Sequence, residues 1–384
     1  MSESLFGRRD VQLTVGQKLW DLNWGLVLLI TATSSIGFLM LYSVASGHLE
    51  PWAAKQMMRF AIGIAIMFAV ALVDIRVWLK YAYHLYAVAL VLLVVVDVAG
   101  HIGMGAKRWI DLGPLNLQPS EIMKIAIVLA LARYFHGLSI EDVGKIRWLI
   151  VPIIMVLAPA GLVLKQPDLG TALLLLLGSA IMFLLAGVRI WMFAVAIAGA
   201  LGVLPVAWKF LRDYQKERLL TFLNPENDPL GSGYHILQSK IALGSGGLFG
   251  KGFMLGTQSH LNFLPEKQTD FIFTTLAEEF GMVGGLVLLG LYVLIFAYGF
   301  GIGLRSRNQF GRLVGLGMTG MFFLYVFINI AMVTGLVPVV GVPLPLVSYG
   351  GTAMLTLLFG FGLLMSVYIH RDVQIPRRPE TAGL

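Results

Sequence analysis

Ten apolar runs, most of them long enough to cross a bilayer, dominate this sequence. A helix of about 20 apolar residues spans the hydrocarbon core of a membrane. Because lipid cannot hydrogen-bond to exposed backbone groups, such runs are expected to fold as helices. The runs lie at 23–43, 53–73, 80–98, 121–136, 148–164, 170–186, 189–211, 271–302, 312–335 and 347–369. The sequence therefore predicts an all-α polytopic membrane protein with about ten transmembrane helices and a large loop between helices 7 and 8.

Composition excludes several other classes of protein. Only 13% of the residues are charged and 58% are hydrophobic, whereas about 25% of the residues in a soluble domain are charged. The net charge of +7 comes from basic residues spread over short loops, without the dense run typical of nucleic-acid binding. The chain contains no cysteine, which excludes disulfides, thiolate catalysis and cysteine metal sites.

The charges of the short loops predict the orientation of the chain. Cytoplasmic loops of membrane proteins carry an excess of Lys and Arg. With a cytoplasmic N terminus, the short outer loops hold mainly Lys107, Arg108 and Lys165, whereas the inner segments hold Arg8, Arg9, Lys18, Arg76, Lys80, Lys145, Arg147, Arg189, Arg305, Arg307, Arg312, Arg371, Arg377 and Arg378. An even number of spans then places both termini in the cytoplasm.

This topology divides the chain into three parts. We expect a cytoplasmic segment at 1–22, a single transmembrane domain at 23–370 and a cytoplasmic tail at 371–384. The large loop, at about 212–270, and the shorter segment 99–120 are then extracytoplasmic.

The large loop ends at Asp270, which lies at the mouth of the eighth apolar run. An ionisable group at the edge of a bilayer is costly and is by default a functional candidate. The alternative is that Asp270 caps the helix or lies in its first turn, where an acid complements the helix dipole. Inside the same run, Glu278 and Glu279 need partners or a protonated state.

A second polar group lies where the fourth apolar run begins. Pro119 and Ser120 predict a helix start, with Ser120 as the N-cap. Glu121 and Lys124 are three residues apart, so they share a helix face and can pair. A pair inside an apolar run should face the protein interior or a water-filled cavity. A structural clamp and a functional site both remain open for it.

Two shorter extracytoplasmic segments also carry charge. Arg108 and Trp109 form a cationic and aromatic pair, whose alternative interpretation is an anchor at the membrane interface. Asp168 follows Pro167, and a simple turn is sufficient to explain it.

Glycine and proline mark two further segments. The run at 244–252 is rich in glycine and ends near Lys251; it is either a flexible loop or a cradle for an anion. The segment 337–351 contains three prolines within predicted membrane depth. Such backbone is tolerated only where it is buried in protein or lines a cavity, so we expect a polar interior site there.

Four groups of motifs, in this order, are characteristic of one family: GAKRWIDLG with QPSEIMK; PENDPLGSGYHILQSKIALGSGGLFGKG; GTQSHLNFLPEKQTDFIF with AEEFG; and PLPLVSYGG. Together they resemble the SEDS family of cell-wall polymerases over most of the chain, from about Trp109 to His370. The stretch GTQSHLNFLPE is more similar to the elongation members of the family than to its division members.

The resemblance implies a peptidoglycan glycosyltransferase of the bacterial inner membrane, with its active site on the periplasmic side. Such an enzyme polymerises lipid II into β-1,4-linked glycan strands during cell elongation and releases undecaprenyl pyrophosphate. The implied partners are a class B penicillin-binding protein similar to PBP2 and elongation proteins such as MreC and MreD. No nucleic-acid partner is expected.

The resemblance also implies functional residues. The essential acid of the family corresponds to Asp270, the tryptophan of its R-W motif to Trp109, and its Glu–Lys pair to Glu121 and Lys124. The other substrate-binding candidates in the matching motifs are Arg108, Lys240, Lys251, Gln258 and Glu266.

The chemistry of the reaction fits these assignments. The donor sugar is α-linked to pyrophosphate, whereas the product linkage is β, so the configuration at the anomeric carbon is inverted. Inversion fits a single displacement in which a base removes the proton of the acceptor hydroxyl. We assign that base to Asp270. The pyrophosphate leaving group needs positive charge more than an acid, for which Lys124, Arg108 and Lys251 are candidates. A divalent cation, Mg²⁺ or Mn²⁺, would serve the same purpose, without a dedicated protein metal site.

Two other functions remain open at the level of the sequence. A lipid II flippase or transporter would use the same cationic cavity and broken helices, but it needs access from both faces and no general base. A non-catalytic scaffold of the elongation machinery would not need buried charge.

Overall fold

A computed structural model of the chain describes residues 14–99, 101–103, 106–111, 116–210, 216, 220–222, 232–261, 263–264 and 266–376. Residues 1–13 of the predicted cytoplasmic segment 1–22 and residues 377–384 of the predicted tail 371–384 lie outside the described residues, as does the turn-rich part of the large loop at 223–231.

The described residues are mainly helical. The helices are α1 (Val15–Trp20), α2 (Trp24–Val44), α3 (Ala53–Leu72), α4 (Ile75–Ala99), α5 (Pro119–His136), α6 (Ile140–Val143), α7 (Ile146–Lys165), α8 (Leu169–Ala186), α9 (Ile190–Phe210), α10 (Ser232–Ser245), α11 (Thr257–His260), α12 (Ile272–Arg305), α13 (Gln309–Val333) and α14 (Gly351–Ile369). Each of the ten predicted runs coincides with a long helix. By length and hydropathy, 8 helices of the described residues can cross a membrane, so the chain is a multi-pass membrane protein.

The helices differ in how much of their surface the protein covers. Within their membrane-length windows, α13 is 78% buried and α14 is 67% buried, whereas α3 is 28% and α4 is 22% buried. Nearly every residue of α5 is also buried. Helices α5, α13 and α14 therefore form the centre of the bundle, and less buried helices such as α3 and α4 lie at its periphery.

The start of α5 differs from the prediction. Gln118 is the N-cap residue and makes no side-chain capping bond, while Pro119 occupies the first turn. Ser120 is buried inside the helix instead of capping it. Proline favours the first helical position because its missing N–H has no partner there in any case. The proline, not the serine, therefore marks this helix start.

A small antiparallel sheet supplements the all-α prediction. Its strands are β1 (His101–Gly103), β2 (Ala106–Asp111) and β3 (Asn116–Leu117), in the order β1-β2-β3. Strand β2 contacts α4 and α5, and β3 contacts α14. The sheet therefore places Arg108 and Trp109 at the same end of the bundle as the start of α5.

The glycine-rich segment is ordered against a break in α12. Gly281 has φ 66° and ψ −163°, which interrupts the helix. Main-chain N–H groups of Lys251 and Gly252 donate to the carbonyls of Glu278 and Glu279, both at 3.0 Å. Because these N–H groups already have partners in α12, this part of the segment serves the fold and does not form an anion cradle.

The proline-rich segment between α13 and α14 is non-helical, as predicted, and its second half, at 342–348, is mostly buried. Consequently the tenth helix begins at Gly351 and not at the predicted position 347. Tyr292 of α12 donates to the carbonyl of Pro345 at 2.6 Å. Irregular backbone at this depth is thus surrounded by protein.

Candidate active site

Asp270 lies in the turn immediately before α12. The N-cap residue is Phe271, and the first turn of the helix contains no acid. The alternative interpretation of Asp270 as a capping or first-turn acid is therefore wrong. Its side chain is half-buried, and its Oδ2 atom faces Gly341 of the proline-rich segment, 3.6 Å from the position that a Cβ would take.

The proline-rich segment holds the turn that precedes Asp270. Ser348 Oγ donates to the carbonyl of Thr269 at 2.5 Å, and the Tyr349 N–H donates to the carbonyl of Gln268 at 2.8 Å. Gln56 of α3 donates to the carbonyl of Ser348 at 3.0 Å. The turn is thus fixed through its main chain by residues of the proline-rich segment.

Glu121 and Lys124 form the predicted pair on α5. Lys124 Nζ lies 2.6 Å from Glu121 Oε1, and both side chains are buried. Tyr325 of α13 donates to Glu121 Oε2 at 3.1 Å, and Lys124 Nζ lies 4.4 Å from the centroid of the Tyr325 ring. A charged pair at this depth is tolerated because hydrogen bonds and a ring face surround it.

This pair lines a cavity of ≈ 50 Å³ between α5, α13, α14 and the proline-rich segment. Ser348 and Gly350 line the same cavity. Because Ser348 also bonds to the turn before Asp270, the Glu121–Lys124 pair and the candidate base are supported by one stretch of backbone.

Arg108 is bound to the turn between α7 and α8. Its guanidinium donates to the carbonyl of Gln166 at 3.2 Å and to that of Pro167, and it lies 3.8 Å from Asp168 Oδ2. Asp168 in turn caps α8 by accepting from the Thr171 N–H at 3.1 Å. The turn interpretation of Asp168 is confirmed, and Arg108 connects β2 to it. Trp109 is half-buried on the same strand.

Lys251 is paired with the first of the two acids inside α12. Its Nζ lies 2.8 Å from Glu278 Oε1, which also accepts from the Gln258 N–H at 3.0 Å. Glu279 bonds to Ser43 and lies 3.3 Å from His260 Nε2. The prediction that both buried acids need partners is confirmed.

The remaining substrate-binding candidates are Lys240, Gln258 and Glu266, of which Lys240 and Glu266 are exposed. Lys240 is exposed, and its Nζ lies 2.8 Å from the position that a Cβ on Gly335 would take. Among the described residues the buried Oε1 atom of Gln258 has no hydrogen-bond partner. Glu266 is exposed and accepts from Thr269 Oγ1 at 2.9 Å. Only Glu266 of these three lies in the turn that carries Asp270.

Lys267 is the cation nearest to Asp270 in the sequence. Its Nζ donates to the carbonyl of Ser259 at 2.7 Å, and burial lowers the pKa of its side chain. Burial penalises the charged form of a lysine because water is removed from the ammonium.

Sequence reasoning missed several polar residues around this centre. Arg59 of α3 lies 4.8 Å from the centroid of the Tyr349 ring, and its Nη1 atom has no partner among the described residues. Asn329 of α13 contacts the main chain of Asp270. Both lie inside predicted apolar runs, where the rarity of polar side chains was a usable signal.

The fold and these side chains define a multi-pass membrane protein with a polar centre built on broken backbone. The chain belongs to the cell cycle protein family of FtsW, RodA and SpoVE, because the model of that family matches residues 22–373. The predicted membership of the SEDS family is thereby confirmed.

Individual relatives agree with this membership. The chain is 44% identical over 362 residues to peptidoglycan glycosyltransferase MrdB of Escherichia coli (strain K12), covering 92% of this chain and 96% of the relative. It is similar to a chain from a peptidoglycan synthase complex with coordinated polymerization and crosslinking, with a TM-score of 0.80, 34% identity and coverage of 91% and 98%. The Thermus thermophilus rod shape determining protein RodA matches with a TM-score of 0.70, 30% identity and coverage of 92% and 98%. These relatives confirm the predicted similarity to elongation members.

Proposed function

We propose that this chain is a peptidoglycan glycosyltransferase that polymerises lipid II into β-1,4-linked glycan strands during cell elongation and rod-shape maintenance. The name of the MrdB relative, over 92% of the chain, supports the reaction class. The observation that carries the proposal is Asp270, a half-buried carboxylate outside the helix, held by its main chain and facing the proline-rich segment.

Asp270 acts as the general base of a single displacement. Its carboxylate takes the proton of the acceptor's 4-hydroxyl while that oxygen attacks the anomeric carbon of the donor. The bond from this carbon to the pyrophosphate oxygen breaks, and undecaprenyl pyrophosphate leaves with the bonding electrons. One displacement converts the α linkage to β, as in inverting glycoside chemistry.

The three candidate cations differ in their availability to the pyrophosphate. Lys124 is buried at 2.6 Å from Glu121, and Lys251 lies 2.8 Å from Glu278. Arg108 is 3.8 Å from Asp168 and its side chain is 32% exposed. The Arg108 Nε and Nη2 atoms are held by the carbonyls of Gln166 and Pro167. Because the ion pair of its Nη1 atom is the longest of the three and therefore weak, Nη1 is the group that we propose makes the first contact with a phosphate. Glu121 orients Lys124, and Trp109 stacks on a sugar or lines the lipid groove.

A divalent cation would add positive charge at the leaving group. Among the described residues no three His, Asp or Glu side chains come together as a metal site. Mg²⁺ typically binds through one or two carboxylates together with substrate phosphates. We therefore propose that an Mg²⁺ or Mn²⁺ ion would be bound mainly by the donor's pyrophosphate.

The proposed location is the bacterial inner membrane, with both termini in the cytoplasm and Asp270 on the periplasmic face. The loop charges support this orientation. Thr352 at the start of α14 donates to the carbonyl of Asn116 in β3, and the Tyr349 N–H donates to the carbonyl of Gln268. These contacts support the proposal that Asp270 and the small sheet lie on the same face. The proposed partners are a class B penicillin-binding protein, MreC and MreD. A partner that crosslinks strands is supported by the similar chain that comes from a peptidoglycan synthase complex with coordinated polymerization and crosslinking.

Polymerisation by the purified complex tests the proposal. The chain is purified with its penicillin-binding partner, whose transpeptidase site is blocked, and is given lipid II and a divalent cation. Glycan strands resolved on a gel are expected from the wild type and not from Asp270→Ala or Asp270→Asn. Full polymerisation by a folded Asp270→Asn chain refutes the base assignment. No strands from any chain, together with lipid II crossing reconstituted vesicles, favours the transport function instead.

A further inference from the structure

Asn329 is a fully buried amide on α13, with 0% of its surface exposed. Its Nδ2 atom donates to two main-chain carbonyls, that of Asp270 at 2.9 Å and that of Val342 at 2.7 Å. These carbonyls belong to the turn before α12 and to the proline-rich segment. One side chain therefore connects a regular helix to both pieces of irregular backbone that meet at the candidate base.

The orientation of the amide follows from its partners. A nitrogen of an amide group carries two hydrogens, whereas the oxygen only accepts. Two carbonyl oxygens approach the same atom of Asn329, so that atom must be the nitrogen, and both of its hydrogens are used. No donor among the described residues reaches Asn329 Oδ1. The hydrogen bonds that this side chain makes among the described residues are therefore the two that its nitrogen donates.

The position of Asn329 on α13 makes it a suitable anchor. Tyr325, four residues earlier on the same helix face, donates to Glu121 at 3.1 Å. The same face of α13 therefore contacts both polar groups of the candidate site. On the other side of the turn, Ser348 holds the carbonyl of Thr269. Together they fix two consecutive carbonyls: Asn329 holds that of Asp270 and Ser348 holds that of Thr269.

We propose that Asn329 is the positioning residue of the polymerase: it sets the location of the Asp270 carboxylate by holding the Asp270 and Val342 carbonyls from one amide nitrogen. This inference rests on the proposed function of Asp270 as the base. Asn329 acts through Asp270 and does not contact the substrate. Its loss should therefore impair the chemical step and leave the binding of lipid II unchanged.

Steady-state kinetics of the purified complex provide the first test. Asn329→Leu keeps the approximate size of the side chain and removes both donors. A displacement of about 1 Å at a reacting group costs on the order of 100-fold in rate, so kcat should fall by about that factor with KM unchanged. Thr319→Val is the matched control, because it removes a buried hydroxyl of α13 that donates within its own helix at 2.8 Å; its kcat should match the wild type.

A double-mutant cycle separates positioning from a general effect on the fold. If Asn329 acts only through the Asp270 carboxylate, Asn329→Leu should cause no further loss in the Asp270→Glu background, which keeps a carboxylate that is already displaced by one methylene. The proposal would be overturned if the fold-decreases in kcat of the two single variants multiplied in the double variant. Asn329→Ser, which keeps one donor, replaces Asn329→Leu if the latter does not purify as a folded chain, and an intermediate kcat is then expected.

A second readout does not depend on activity. The chain contains no cysteine, so Asp270→Cys introduces a single thiol whose rate of modification by a charged thiol reagent reports its position. Adding Asn329→Leu should change this rate several-fold, and adding Thr319→Val should not. Equal rates in all three chains would refute the positioning.

The outcomes separate the two proposals. If Asp270→Asn abolishes polymerisation while Asn329→Leu leaves kcat unchanged, the positioning inference fails and the base assignment stands. If Asp270→Asn polymerises normally, the base assignment fails, and Asn329 cannot then be positioning a base at Asp270.

Discussion

Removing the ammonium of Lys251 should destabilise the folded protein, whether or not Lys251 also binds substrate. Lys251 Nζ lies 2.8 Å from Glu278 Oε1, and the two side chains are 27% and 0% exposed. In Lys251→Met, the Glu278 carboxylate is left buried without its cation. Breaking a buried pair in this way costs about 3–5 kcal/mol. We expect the lower end, about 3 kcal/mol, because Lys251 is partly hydrated and Glu278 keeps the Gln258 N–H.

Thermal unfolding of the detergent-solubilised protein measures this cost. At about 2 °C per kcal/mol for a chain of this size, Lys251→Met should melt about 6 °C below the wild type. Lys145→Met is the matched control: Lys145 lies at the same 2.8 Å from Asp142, but the two side chains are 52% and 21% exposed. Exposed pairs contribute little, so this variant should melt with the wild type.

A second substitution decides between the structural and the substrate-binding functions of Lys251. Glu278→Gln in the Lys251→Met background removes the buried charge, so the melting temperature should recover most of its loss. If polymerisation recovers with it, Lys251 serves the fold alone. A stable but inactive double variant would indicate contact with the pyrophosphate. An unchanged melting temperature in Lys251→Met would refute the argument that the pair is buried and coupled.

Three further predictions follow from other contacts. Gly281→Ala should lower the free energy of unfolding by at least about 1–3 kcal/mol, because a φ of +66° is open mainly to glycine and a Cβ would meet Gly250 and Leu248. Gly290→Ala in the same helix is the control and should not destabilise the protein, because its Cβ would meet nothing within 4 Å. Lys267→Met removes both a penalised charge and the hydrogen bond to the Ser259 carbonyl, so the change in melting temperature should be more favourable at about pH 8 than at about pH 10.5. The lowered pKa penalises the folded state while the lysine is charged, and this penalty fades as the pH passes the ordinary lysine pKa; a change independent of pH would contradict this reasoning. The Mg²⁺ concentration for half-maximal polymerisation should fall as the lipid II concentration rises, whereas a dedicated protein metal site would give one value at all lipid II concentrations.

Local patterns in the sequence predicted the elements that depend on local physics. Length and apolarity located the ten long helices, because a span needs no information beyond its own residues. The spacing of Glu121 and Lys124 predicted their pairing, since residues three apart share a helix face. The three prolines of 337–351 predicted irregular backbone, because a proline disrupts a helix through its own ring and its missing N–H.

Contacts between distant segments could not be read in this way. Lys251 pairs with Glu278 only because the glycine-rich segment enters the break at Gly281, and neither periodicity nor composition identifies that break. Arg108 reaches the turn at 166–168 because the small sheet places it there. The start of α5 was misassigned although Pro119 carried the better signal. Asn329, a lone amide in an apolar run, was detectable and was overlooked.

The location of the candidate base on irregular backbone has a physical reason. In a continuous helix, the main-chain groups are bonded to one another and the side chains point outward at fixed angles. Asp270 instead precedes α12, so its carbonyl is available to Asn329 and its side chain is not committed to the helix. Irregular backbone inside a membrane protein must find such partners elsewhere. The same bonds that satisfy this requirement also fix the carboxylate, so stability and positioning at Asp270 depend on one set of contacts from α13 and the proline-rich segment.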